Sequence, residues 1–259
     1  MRDIFHDLFV DQPTDAMEAA RRAMRPPLRR RFYETSRVAE GEGGFAVVLD
    51  GKLVPTPAGQ GLYLPSKLLA EAVAAEWQAQ AEFIVPVTMP LTCLAHLVID
   101  RVVPAPERAR AEINKYLACD LVFYRAERPE ELVARQMRHW DPIIAWAREE
   151  LGAAFVVAKG IVHMRQPDSA LQSAATAIPG VPWRLGAVHS ITTLTGSALI
   201  ALAVAGRQLV TEQAWAAAHV DEDWNIEQWG SDALALERRS FGLAGMHAAA
   251  TVFSLVGAD

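Results

Sequence analysis

The chain has 259 residues, 51% hydrophobic and 22% charged, enough apolar content for one large core or two modest ones. Its formal net charge of -6 speaks against a general nucleic-acid binder, whose phosphate contacts need a basic surface. Cys93 and Cys119 are the only cysteines, too few for a disulfide framework and without the close spacing of a zinc site, so a reducing compartment is expected.

The opening Met-Arg-Asp-Ile-Phe-His-Asp carries acid early and no charged-then-apolar signal pattern, so the expected address is the cytoplasm. Ile4, Phe5, Leu8 and Phe9 fall at helical spacing and suggest a short docking arm. Six arginines between Ala19 and Arg31 surround Pro26-Pro27, a basic face that reads as solvated because no aromatic residue interleaves before Phe32.

From Arg30 to Pro65 apolar and polar residues alternate between glycine- and proline-rich punctuation, which predicts two or three hairpins. Asp50-Gly51 is the clearest turn, since both central positions of a type I′ turn need positive φ. The glycines of Ala58-Gly-Gln-Gly61 lack the Lys-Ser/Thr pair of a phosphate loop and read as a turn. Ser66 caps a predicted helix that runs to about Gln80 and contains Trp77 as an apolar anchor. The prolines of Ile84-Val-Pro-Val-Thr-Met-Pro-Leu-Thr92 end that pattern and place a domain junction there, with residues 1–88 before it and 89–259 after it.

Beyond the junction, helices are expected over residues 91–102, 106–117 and 129–151, the last interrupted or kinked near Asp141-Pro142. Residues 155–157 and 161–162 read as extended, and helices follow over 168–177, 182–205, 211–229 and 231–255, the last capped by Ser231. No Asp, Glu, Lys or Arg occurs between Arg184 and Arg207, but Ser, Thr, His and Gly crowd the first half, which favours a buried core helix over a membrane span. The fold class is therefore α+β, a small β-hairpin-rich N-terminal domain with a helix followed by a mainly α-helical C-terminal domain.

The most informative stretch is Trp215 to Gly230. On one continuous helix Trp215, Ala218, His219, Glu222, Ile226 and Trp229 share a stripe, which sets the Glu222 carboxylate among apolar side chains. A carboxylate so placed is either paired with an arginine from the core or aimed at a partner or ligand. Asp221, Asp223 and Glu227 lie off the stripe as solvated flanks, and Trp224 points away from it, giving the helix a second apolar face of the kind interfaces use. As chemistry, His219, Glu222 and Asp223 are the one cluster that a metal-dependent or acid-base hydrolase or transferase would use, yet no His-Glu-x-x-His accompanies it. Cys93 with His96 three residues on is the alternative nucleophile pair, and buried apolar packing of both cysteines is the simpler expectation.

Six segments then occur in a recognisable order: Leu49-Asp-Gly-Lys-x-Val-Pro-Thr-Pro-Ala58, Leu64-Pro-x-x-Leu-Leu-Ala70, Ala75-Glu-Trp-Gln-Ala-Gln80, Pro86-x-x-Met-Pro-Leu-Thr92, Gln136-x-x-x-Trp-Asp-Pro142 and Asp221-Glu-x-x-x-x-Glu-x-Trp-Gly230. Together, from about Arg31 to Arg239, the chain resembles the Atp-twelve family of assembly chaperones for the catalytic head of ATP synthase. The resemblance implies a non-enzymatic protein without a cofactor that binds the unassembled alpha subunit. It also implies a two-domain fold and a functional acidic motif at Glu222, Glu227, Trp229 and Gly230, with Glu222 foremost. Asp223, Trp224 and Trp77 complete the expected partner-binding set.

Overall fold

The computed structural model describes residues 28–160 and 162–257, so the predicted N-terminal arm and most of the arginine-rich segment lie outside the described residues. The chain divides into two compact units. One holds the residues up to Phe32 together with Gln80–Val85. In it Arg30 and Phe83 form an antiparallel bridge, Arg31 N–H donates to the Glu82 carbonyl at 2.9 Å, and Arg30 pairs with the Glu82 carboxylate at 2.9 Å.

The other unit, Tyr33–Ala79 with Pro86–Asp259, contains every named strand and helix. It opens with β1 (Ser36–Gly41), β2 (Gly44–Leu49), β3 (Lys52–Leu53) and β4 (Tyr63–Leu64). β2 is central, antiparallel to β1, β3 and β4, with Ser36 opposite Leu49 and Gly41 opposite Gly44. Asp50 and Gly51 have φ of 48° and 78°, the positive pair that the Asp-Gly turn demands. The Asp50 carboxylate also accepts the Glu34 and Thr35 N–H groups, which fixes the chain as it enters the sheet.

Helix α1 (Lys67–Gln78) packs on this sheet, and the Ser66 hydroxyl accepts the Leu69 N–H at 3.2 Å as its cap. Leu69, Val73 and Trp77 are its buried face. Glu76, in the last turn, receives the Leu91 and Thr92 N–H groups at 2.8 Å and the Thr92 hydroxyl at 2.7 Å, so it caps the next helix from outside. That helix, α2 (Pro90–Leu97), continues into one π-helical turn over Val98–Val102, where the Asp100 carboxylate reaches back to the Thr56 hydroxyl at 2.5 Å and the Ala58 N–H at 3.1 Å.

The remaining elements are α3 (Pro106–Ala118), β5 (Tyr124–Arg125), α4 (Glu130–Glu150), β6 (Ala158–Lys159), α5 (Asp168–Ala175), α6 (Pro182–Thr195), α7 (Ala198–Ala205), α8 (Thr211–Ala218), α9 (Val220–Trp229) and α10 (Ala233–Leu255). β5 and β6 form a small parallel pair. Small sheets toward the N-terminus and a helical remainder make the fold α+β, as expected. Helices α6 and α7 run through the core, and no helix among the described residues is long and apolar enough to cross a membrane.

Several local expectations need correction. The 182–205 helix is broken, because Gly196 takes φ 71° and Ser197 restarts the chain by accepting the Ile200 N–H at 3.0 Å. Pro142 does not interrupt α4, whose buried Trp140, Ile143 and Ala147 hold the helix through the missing N–H. The cap of α10 is Asp232 and not Ser231, since Gly230 at φ 81° turns the chain and brings the Asp232 carboxylate to the Ala235 N–H at 2.8 Å. Both cysteines are exposed, and each thiol donates to a nearby carbonyl, Pro86 or Lys115.

Candidate functional site

The stretch singled out in the sequence is not one helix. At His219, with φ -114° and ψ 19°, α8 ends and α9 begins. The imidazole folds back over the Trp215 ring with centroids 3.9 Å apart, and Nδ1 lies 2.8 Å from the Trp215 carbonyl. A stripe drawn straight across that break therefore leaves the core: Trp215 is buried, while the Glu222 side chain keeps 46% of its exposure and Trp229 is 87% exposed. Only Val220 of α9 is buried. The expectation that Glu222 sits on a buried apolar face is thus wrong, and the reason is the one-residue rotation of the helical face at His219.

With so little apolar burial, α9 is held by polar ties. Gln136 of α4, itself buried, donates to the Asp221 carboxylate at 2.7 Å and accepts the Ala126 N–H at 2.7 Å. Trp140 Nε1 donates to the Ala217 carbonyl at 2.7 Å, fixing the end of α8. Arg135 forks onto Glu227 at 2.7 and 2.8 Å and lies over the Trp224 ring at 5.4 Å from its centroid. Arg239 of α10 pairs closely with Asp223 and stands 3.9 Å from Glu222. These are geometrically good pairs at the surface, where each contributes little alone and the set defines an orientation. The hydrogen bond from Arg135 holds the Glu227 carboxyl below its ordinary range and raises the guanidinium.

Of the two readings left open for Glu222, the structure supplies the arginine: Arg239 serves Asp223 first and Glu222 second. The same guanidinium sits among His219, Glu222 and Asp223, a fixed positive charge where a cation would have to bind, and His219 Nε2 is 3.7 Å from Glu222. Among the described residues, no group of three His, Cys, Asp or Glu side chains could hold a metal ion.

Trp229 ends α9 just before Gly230 turns the chain into α10. Trp229, with Leu234 and Leu236 at 42% and 49% exposure in the first turn of α10, puts exposed apolar side chains on both sides of that turn. Trp77 belongs elsewhere. It is buried in α1 edge-on to Tyr33, whose hydroxyl donates to the Trp77 carbonyl at 2.6 Å, so its ring offers no surface to a partner. The sequence reading also passed over Arg135, Gln136 and Arg239 as the residues that place α9. Gln136 did stand in the quoted Gln136-x-x-x-Trp-Asp-Pro142 segment, and its partner Asp221 opens the acidic one.

The sequence profile of the ATP12 chaperone protein family matches residues 30–148. The fold superposes on the crystal structure of a candidate chaperone from Agrobacterium tumefaciens with TM-score 0.84 and 42% identity, covering 95% of this chain and 93% of that one. It is similar to the crystal structure of Atp12 from Paracoccus denitrificans with TM-score 0.79 and 36% identity, over 88% of this chain and 99% of that one. A single-residue aspartate-to-lysine mutant of the Paracoccus protein matches at TM-score 0.77, 36% identity and 88% and 97% coverage. At that identity over nearly the whole length, the chain belongs to the Atp12 family of chaperones.

Proposed function

We propose that this chain is an assembly chaperone of the ATP synthase catalytic head that binds the unassembled alpha subunit, without hydrolysing a substrate, through the corner formed by α9 and α10. An unassembled subunit exposes surface that the finished complex buries, and such surface aggregates unless something covers it. The observation that carries the reading is Trp229: a tryptophan at 87% exposure, on a helix whose acids are engaged by arginines and a glutamine. Exposed tryptophan at a rigid corner is the kind of residue that dominates a protein interface. In this reading Glu222, Asp223, Glu227 and Trp224 set the position of α9, the three acids give the rim its negative charge, and Trp229 makes the contact.

The test is capture of the alpha subunit from cells that co-express it with tagged chain. Wild type recovers the subunit. Trp229→Ala lowers recovery at least tenfold while thermal unfolding stays within a degree of wild type, because the ring has almost no contact to lose. Glu222→Lys also weakens capture, by placing a cation beside Arg239 and reversing the rim charge, with the fold kept. Failure of folded wild type to recover the subunit rejects the proposal, and recovery unchanged by Trp229→Ala moves the contact away from this corner.

A further inference from the structure

The sheet has an open edge among the described residues. Among the described residues β1 has a strand neighbour on the β2 side only. The Ser36 N–H points away from β2, since it donates to the Gln78 side chain at 2.8 Å, and successive residues of a strand alternate in direction. Val38 and Glu40 therefore present their N–H and C=O groups to the same open side. β1 runs its whole length in continuous register with β2, from Ser36 opposite Leu49 to Gly41 opposite Gly44, and carries neither a proline nor a bulge. Those are two of the devices that blunt an edge, and the charges of Arg37 and Glu40 are the one β1 does carry.

Gln78 shows what the edge accepts. Its carboxamide takes the Ser36 N–H and donates to the Glu34 carbonyl at 3.3 Å, the two bonds that one residue of a neighbouring parallel strand would make. It covers the first position and leaves the next two. Beside them lies a groove of about 680 Å³, lined by Ser36, Arg37 and Val38 of β1 and by Lys67, Glu71, Ala74, Ala75 and Gln78 of α1. The alanines keep that face of α1 low and leave room for a side chain. Arg37 and Lys67, both exposed, form no ion pair with another described residue.

We propose that the edge of β1 is a strand-docking site for an extended segment of the client. Such a segment adds a strand to the sheet through the Val38 and Glu40 backbone, places an apolar side chain over Ala74 and Ala75, and sets a carboxylate against Arg37 and Lys67. The site rests on the client reading above, and lies on the sheet at the start of the same unit that ends in α10. Two surfaces, one for backbone and one for an aromatic contact, let the chain grip one client at two places.

The experiment is residue-resolved amide hydrogen exchange on the full chain, alone and with purified alpha subunit, together with capture by Val38→Pro. Proline removes only an outward N–H at this position and is tolerated on an edge strand. The Val38 and Glu40 amides should exchange quickly in the free chain and at least tenfold more slowly in the complex, and Val38→Pro should lower capture at least tenfold with the near-ultraviolet dichroism unchanged. Unchanged exchange at both amides in the complex overturns the proposal, as does full capture by folded Val38→Pro. Protection already present in the free chain overturns it too, because the chain or a second copy of it then fills the edge, and sedimentation tells these apart. If Val38→Pro does not fold, the exchange measurement decides alone. Failure of wild type to bind the subunit at all removes the client itself, a result distinct from binding that leaves β1 untouched.

Discussion

Helices α7 and α9 are similar in length and differ in nearly everything that holds them. Every residue from Ala198 to Val204 is buried, and α7 needs no amphipathic face because the protein surrounds it. α9 buries Val220 alone and stands against α4 and α10 on ion pairs and one buried glutamine. The lesson is that two helices with only α8 between them in the chain are stabilised by different physics: α7 by area removed from water, α9 by geometry among charges that contribute mainly orientation. A helix of the second kind can carry an exposed tryptophan at a defined place without being dragged into the core.

The largest loss is expected at the start of α7, where a buried carboxylate anchors the helix. Asp120 is fully buried and accepts the Leu199 N–H at 3.0 Å, at the start of α7, and the Val122 N–H at 3.2 Å. Asp120→Leu leaves both donors unsatisfied in the core and should cost about 3 to 5 kcal/mol in urea unfolding. Burial pushes the Asp120 carboxyl up to about 6, against the bonds that lower it. The folded state then holds a proton that the unfolded state, ordinary near 3.8, has released, so the contribution is full below about 4 and is lost as pH rises through about 6. Wild-type stability relative to Asp120→Asn should fall by roughly 2 to 4 kcal/mol across that window, and a flat difference would show Asp120 to be ionised throughout.

An intermediate effect is expected where the two kinds of helix meet. Gln136 is buried on α4 and joins the Ala126 N–H to the Asp221 carboxylate. Gln136→Leu keeps the volume and strands both partners, at a cost of about 1 to 3 kcal/mol. Hydrogen exchange should then speed up in α9 before α7. Equal acceleration in both would mean that α9 depends on the same core as α7.

The contrast also explains what could be read from the sequence. Apolar content and a charge-free run were enough to place the 182–205 region in the core, and the Asp50-Gly51 turn and the Ser66 cap follow from local chemistry that tertiary packing did not override. Glu222 was misplaced because periodicity assumes an unbroken helix, and the break at His219 carries no glycine or proline to announce it. Gly196 did carry such a signal, and the long apolar pattern on either side concealed it. The partners Arg135 and Arg239 stand 92 residues before Glu227 and on a later helix than Asp223, and pairings of that kind come from the packing of α4 and α10, which residue spacing does not encode.

The smallest effect sharpens the comparison most. Glu227 is joined to Arg135 by two short bonds, yet the pair is open to solvent, and screening leaves such pairs with little net contribution. Glu227→Gln should therefore leave the urea midpoint at neutral pH indistinguishable from wild type. Because Arg135 depresses the Glu227 pKa, whatever small stability the pair adds is present above the ordinary glutamate range and disappears as pH falls through the folded value, so acidification should open no gap between the wild-type and Gln midpoints. The difference should appear instead in local order: limited proteolysis near Gly230, where α9 gives way to α10, should become faster by a few fold, since Arg135 also loses the partner that keeps it over Trp224. A large fall in the urea midpoint would show that α9 is stabilised as α7 is, by a contact the whole fold depends on. An unchanged proteolysis rate would show that Gln136 and Arg239 alone fix α9, and with it the direction in which Trp229 faces.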